Sequence, residues 1–482
     1  MIVTNSVANS VANAVTKSAA NAVTKSAAKT VKNSVANQPG RTMAAKLGMV
    51  LALSALSVSG SASAWGLLQA YQDALQNDST YRSAKFENDS GMANKQIGRA
   101  GLLPVVSANY SSNKNRSDYT QNGSVTHPEY TSSSASLNLR QPILNLEGVA
   151  RYYQGMAQAK SSEALFQSRH HELMVRLISA YVELLFSSDQ LNLTSAQRDT
   201  LAEQKLVNER LFAKGEGTKT DVLETQARLD LAEAQVVETR DAQAVSRAAL
   251  AAIVGHEVGQ IDSLSGDFKV MPLQPADFAA WKALAVANNP ELQAQVHAIE
   301  VARQELNRNR AGHAPRLDLV AGYSKSTSES ITVLNTDNVN RSVGIQLSIP
   351  LYSGGAVSAG STQATANYMR AKADQDVRSD RILNDLQRQY NTVVGSVARL
   401  DALNKAVESA RLLITATQQS IKGGVRINLD LLNARQQYYT AQRDLAQARY
   451  NYLQAYMRLR SAAGVLAPAD VNKLAGFFVA GK

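Results

Sequence analysis

The sequence predicts a mainly helical protein that carries a few membrane-type β-strands and is built as two tandem halves. Three observations predict this. Residues 147–212 and 355–421 contain almost no Gly or Pro, as very long helices require. Four short stretches alternate apolar and polar residues, the period of a strand with two different faces. Landmarks also recur at nearly one spacing. Pro104 and Pro315 lie 211 residues apart, and Pro142 and Pro350 lie 208 apart. Lys214-Gly215-Glu216-Gly217 with Asp221 is answered by Lys422-Gly423-Gly424 with Asp430. A shared spacing of this kind is the mark of an internal duplication.

The first 64 residues stand apart from that plan. Residues 1–42 form a low-complexity extension in which Asn-Ala-Val-Thr-Lys-Ser-Ala-Ala occurs twice in tandem. Almost nothing in it could bury a core. Residues 43–64 then read as a signal peptide with Met43 as an initiator. Arg41 and Lys46 flank it, an apolar run follows over 47–58, and Ser61-Ala62-Ser63-Ala64 offers a small-x-small cleavage site. The run is shorter than the ~20 residues a membrane-spanning helix needs. Export follows, and a chain that is integral to a membrane without such a helix must cross it as strands.

Charge and cysteine content narrow the function classes. The net charge is +10, but six basic and no acidic residues lie within the first 64, leaving 44 basic against 40 acidic residues in the remainder. Those signs are interspersed, with no basic stripe, so nucleic acid is not an expected partner. The chain has no Cys, which excludes disulfides, thiol nucleophiles and cysteine-bound zinc.

The first repeat is expected over 65–264, with strands near 104–112 and 134–143. Val106, Ala108 and Tyr110 alternate in one, and Leu137 and Leu139 in the other. The second repeat is expected over 276–466, with strands near 315–325 and 341–352. There Leu317, Leu319, Ala321 and Tyr323 alternate, then Val343, Ile345, Leu347, Ile349 and Leu351. Polar, Ser/Thr/Asn-rich loops (113–133 and 326–340) join each pair. Alternation over about ten residues suits a membrane barrel strand, with lipid on one face and lumen on the other. Four strands cannot enclose an aqueous pore, so several chains would have to share one barrel. Residues 467–482 are left as a C-terminal segment.

The remainder reads as helix. A helix of some 65 residues is about 100 Å long and needs coiled-coil-like packing. Leu173, Leu177, Ile178, Tyr181, Leu184 and Leu185 recur every three to four residues, opposite faces rich in small residues, Gln and Asn. Helices around a wide wet channel have this pattern, and so does a solid coiled coil.

Several motifs together resemble the TolC family of outer-membrane channel-tunnels, especially members serving type I secretion. Ile349-Pro350-Leu351-Tyr352-Ser353-Gly354-Gly355 resembles the exit from a barrel strand into a tunnel helix. Ala448-Arg449-Tyr450-Asn451-Tyr452-Leu453 resembles the final-helix signature, and Asn289-Pro290-Glu291-Leu292 the start of the second repeat. The run from Gly424 to Leu432 resembles the helix–turn–helix at the periplasmic tip. The resemblance covers 65–466. It implies a homotrimer with four barrel strands per protomer in outer-membrane lipid and a long periplasmic α-helical barrel. It also implies two partners: a periplasmic adaptor, and an inner-membrane ABC exporter or proton-driven pump. The expected function is an exit duct for type I protein secretion, with small-molecule efflux as the alternative.

The same resemblance directs attention to the two turns. Gly215, Gly217, Gly423 and Gly424 would form adaptor-facing tip turns, and Thr220, Asp221, Arg426 and Asp430 would form the aperture. Residues matching Asp221 and Arg426 pair in the family and hold the closing helices inward. Asp430, repeated by symmetry, would form an acidic ring. Asn433 stands where some members carry a second acidic ring, and Ile421 where some place a Tyr in the closing network. The plainer reading of these residues is capping: Asp is common near helix starts.

No enzyme is expected, and no cofactor. His170-His171-Glu172 puts adjacent imidazoles about 100° apart on a helix, unlike the i, i+4 pair of HExxH. Gly215-Glu216-Gly217 lacks both the third Gly and the preceding strand of a dinucleotide fingerprint. A non-channel coiled-coil surface protein is the rival from another class.

Overall fold

The structure, a computed structural model, describes residues 65–265, 268–328 and 336–479. The expected extension and signal peptide lie outside the described residues. The first repeat runs α1 (Leu67–Asn77), α2 (Ser79–Ala100), β1 (Val105–Arg116), a small hairpin β2 (Tyr119–Gln121) and β3 (Ser124–Thr126), β4 (Glu129–Leu144), α3 (Leu146–Ala213), α4 (Lys219–Val254) and β5 (Ser263–Leu264). The second runs α5 (Phe278–Asn288), α6 (Pro290–Arg310), β6 (Arg316–Ser328), β7 (Thr336–Ser348), α7 (Ala356–Lys422) and α8 (Asn428–Ala462). A tail adds α9 (Pro468–Ala475) and β8 (Phe478–Val479). Corresponding elements start 211 residues apart at α1/α5, α2/α6 and β1/β6, and 209 apart at α4/α8.

Four strands form one antiparallel sheet in the order β1-β4-β6-β7. Its register sorts the side chains by face, because alternate residues of a strand point to opposite sides. Val106, Leu139, Ala321 and Val343 lie in one row across the sheet. Neighbouring rows on the other face read Asn109–Ser136–Ser324–Asn340 and Ser111–Ser134–Ser326–Asn338. One face is therefore mainly apolar, interrupted by Lys325 and Arg341, with Val343 and Ile345 largely exposed. The middle of the other is lined by small uncharged polar groups. The strands reach further than the apolar alternation does. Asn115 of β1 hydrogen-bonds across to Ser132 of β4, and pairing continues to Arg116–Glu129, so both ends of the stretch read as loop are strand. At the helix end of the polar face, the buried carboxylate of Asp318 accepts from Arg140 Nε at 3.0 Å, and Arg316 lies 3.3 Å away.

Upper helices pack through glycine. On α2, a Cβ at Gly98 would lie 2.7 Å from the Arg151 carbonyl of α3; at Gly155 of α3 it would lie 2.3 Å from the Asn94 carbonyl of α2. α3 has 68 residues, about 100 Å at the helical rise. α4 returns along it, as α8 does along α7.

The hydrophobic core is central to this length. It joins Leu67 and Tyr71 of α1, Leu177 and Tyr181 of α3, Trp281 of α5 and Tyr452 of α8. The C-terminal tail belongs to it: Val471 and Leu474 are fully buried, and β8 pairs with β5. Burial pushes the Tyr452 phenol up to about 12. Tyr450 donates to Asp189 at 2.6 Å, and burial raises that carboxyl above its ordinary range. His170 also proves to be a packing residue, bonded at 2.8 Å to the Tyr71 hydroxyl and ringed by Tyr81.

Asn289 joins two helices end to end. Its carbonyl oxygen caps α6 by accepting from Glu291 N at 2.9 Å and Leu292 N at 3.2 Å, while its amide donates to the Ala462 carbonyl closing α8 at 2.9 Å. The first repeat divides the task between neighbours. Asp78 caps α2, and Asn77 donates to the Val254 carbonyl at the end of α4.

Candidate functional site: the two helical turns

The first turn begins where α3 stops. Gly215 takes φ +77°, and the amides of Gly215 and Glu216 return to the carbonyls of Phe212 and Leu211. This closes the orphaned carbonyls of the helix end. Thr218 then caps α4 in a capping box with Asp221: Asp221 N donates to Thr218 Oγ1 at 3.1 Å, and Asp221 Oδ2 accepts from Thr218 N at 3.3 Å. Thr220 follows the cap, exposed.

The second turn repeats the backbone without the cap. Gly424 takes φ +74° at the position equivalent to Gly215, with Val425 N donating to the Ser420 carbonyl. Gly423 and Gly217 have no positive φ. Ile427 stands where Thr218 does and makes no side-chain cap. Arg426 Nη1 lies 3.9 Å from Asp430 Oδ2, both on this turn. Among the described residues no ion pair joins Arg426 to Asp221.

The turns are tied together by amides that no motif marked. Gln204 of α3 donates to Asn428 at 3.0 Å and accepts from Arg435 at 3.3 Å, both on the α8 side. Asn208 donates to Thr225 Oγ1 at 2.8 Å and to the Asp221 carbonyl at 3.3 Å. Arg228 of α4 donates to Asn433 of α8 at 3.0 Å. Asn433 is thus a strut between the two helical hairpins.

Two long hairpins, capped by glycine turns and joined to a sheet with one polar and one apolar face, are the anatomy of a membrane duct. The profile of the outer membrane efflux protein family matches residues 70–256 and 281–465, one match per repeat. The chain belongs to this family. It is 42% identical to the alkaline protease secretion protein AprF of Pseudomonas aeruginosa, over 87% of this chain and 88% of that one. It is 40% identical to the proteases secretion protein PrtF of Dickeya chrysanthemi, over 91% and 96%. Among solved structures, the outer membrane protein VceC of Vibrio cholerae superposes with a TM-score of 0.72 at 18% identity, covering 83% of this chain and 96% of that one. That likeness is one of fold. The expected TolC-type channel-tunnel, its outer-membrane location and its export function all stand. No described helix is long and apolar enough to cross a membrane.

Proposed function

We propose that three copies of this chain form one exit duct for type I protein secretion, with proteases as the cargo class. The supporting observation is the sheet. It has four strands, an apolar and a polar face, and free hydrogen-bonding edges on β1 and β7. An open edge in lipid leaves peptide groups unsatisfied, at several kcal/mol each. Joining β7 of one copy to β1 of the next, three times over, closes a barrel with the Ser/Asn rows inside. The names of AprF and PrtF support protease secretion. A periplasmic adaptor and an inner-membrane ABC exporter deliver the cargo in this reading. The relatives are secretion proteins, and no catalytic role is assigned to the chain.

The aperture lies at the two turns. Asp221, Thr220, Arg426 and Asp430 gate it, and the turns at Gly215, Gly217, Gly423 and Gly424 present it to the adaptor. Asp221 commits Oδ2 to its capping box, which leaves Oδ1 to accept from Arg426 of a neighbouring copy. An exposed pair of this kind contributes ~0–1 kcal/mol, so three copies make a lock of a few kcal/mol that a docking adaptor can overcome. Single-channel conductance of purified trimers in planar bilayers tests both levels. Stable steps that grow or open more often in Arg426→Ser support duct and lock. Steps indifferent to the substitution remove the lock, and folded trimers that never conduct remove the duct.

A further inference from the structure

Where α6 and α8 meet at Asn289, a groove of about 870 Å³ runs between α3 and α7. Five guanidinium groups line it: Arg169 of α3, Arg378, Arg381 and Arg388 of α7, and Arg458 of α8. Three carboxylates share the lining, and each already has an arginine. Glu172 is 2.8 Å from Arg169, Glu291 is 3.2 Å from Arg378, and Asp385 pairs with Arg388. Arg381 and Arg458, both exposed, have no carboxylate partner among the described residues.

The groove has a definite aspect. On α3, Ser168 and Glu172 fall opposite Leu173, Leu177 and Tyr181, which face the central core, while Val175 packs against the core's margin. On α7, Arg381 and Arg388 are likewise turned away from Leu386 and Val393, with Arg378 at the edge of that face. All four lining helices belong to one chain, so the groove is complete in each copy. In the exit-duct reading, the face of these helices turned away from the core is the inner wall of the helical tube.

We propose that this groove is a cationic site on the inner wall of the duct that holds carboxylate-rich stretches of a polypeptide in transit. The inference rests on the exit-duct reading. Guanidinium forks match carboxylates with two parallel hydrogen bonds. The groove is open along one side, so a chain can enter and leave it sideways. Two unpaired arginines in each of three copies give a ring of weak holds, which retards an acidic segment without trapping it. Losing both arginines in every copy should shorten the residence of an acidic chain about tenfold, equivalent to ~1.4 kcal/mol.

The test uses full-length trimers in planar bilayers with poly-L-glutamate as the probe. The expected result is transient block of the wild-type current, about tenfold shorter events in Arg381→Gln/Arg458→Gln, and loss of block in molar salt, where screening falls to ~3 Å. Trimers that conduct while poly-L-glutamate dwells equally long in both proteins overturn the site and leave the duct intact. Folded trimers that never conduct overturn the duct reading and the site with it. A second readout needs no blocker. The chain has no Cys, so Ser168→Cys gives one thiol in the groove. It should react faster with an anionic than a cationic methanethiosulfonate, and the preference should vanish on adding Arg381→Gln/Arg458→Gln. Equal rates in both backgrounds, or no reaction, would also overturn it.

Discussion

Asn289 offers a sharp test of how the two halves of the wall are joined. Its side chain is 5% exposed and makes three hydrogen bonds, two as N-cap of α6 and one to the terminal carbonyl of α8. Asn289→Ala removes the cap, which costs about 1 kcal/mol. It also leaves the Ala462 carbonyl without its donor in a buried junction, about 1–3 kcal/mol more. The expected loss is roughly 2–4 kcal/mol per protomer. Asn289→Asp separates the contributions: a carboxylate caps as well as an amide but turns an acceptor toward Ala462, so only the second cost remains. Guanidinium titration of the detergent-solubilised trimer, followed by helical circular dichroism, should rank wild type above Asp above Ala. An Asp variant as stable as wild type would show that α6 and α8 are not held by this bond. An Ala variant within ~0.5 kcal/mol of wild type would refute the whole account, since that is the spread of neutral surface changes.

Gly464, at the same junction, has φ +71°, and a Cβ there would lie 2.4 Å from the Asn288 carbonyl; Gly464→Ala should cost at least as much as Asn289→Ala in the same titration. Thr225 is fully buried, accepting from Asn208 and donating to the Asp221 carbonyl. Thr225→Val should therefore destabilise by about 1–3 kcal/mol despite its equal volume, seen as faster amide exchange around the first turn. Burial holds His170 below its ordinary 6.5. The unfolded chain then takes up a proton that the folded chain refuses, so this share of stability is present above pH 6.5 and is lost as pH falls below it. His170→Gln should flatten the decline in melting temperature between pH 7 and 5.

Signals legible in the sequence were those carried by apolar period or backbone necessity. Val343, Ile345 and Leu347 announce a strand with an apolar face, and the prolines bounding it fix the repeat. Gly215 and Gly424 mark turns because the left-handed conformation they adopt is costly for other residues. The polar half of the strands was not legible. Asn113, Asn115, Ser132 and Ser133 have the composition of a loop, and only cross-strand pairing makes them a sheet. The amide network of Gln204, Asn208 and Asn428 was equally silent, because Gln and Asn on a long helix look the same whether solvated or bonded to a partner 224 positions away. The tail was hidden for another reason: an eight-residue helix is too short to show a period, although Val471 and Leu474 complete the core.

The two turns, equal in backbone, are unequal in what secures them. Thr218 and Asp221 close the first with a capping box, whereas the second has Ile427 at the cap position. An absent cap costs about 1 kcal/mol, and Val425 and Ile427 stand 81% and 63% exposed beside it. The one charge pair on that turn among the described residues, Arg426 with Asp430, spans 3.9 Å between half-exposed groups and contributes little. The second turn is therefore the less firmly secured of the two. In a trimer, exchange of Arg426 from its own Asp430 to a neighbour's Asp221 is nearly isoenergetic, because one weak exposed pair replaces another. A gate built on such an exchange moves for a small differential affinity. If the gate proposed above works this way, the Gln204–Asn428 and Arg228–Asn433 bonds that join the two hairpins resist it, and single-channel open probability should rise more on breaking those struts than on removing Arg426 alone.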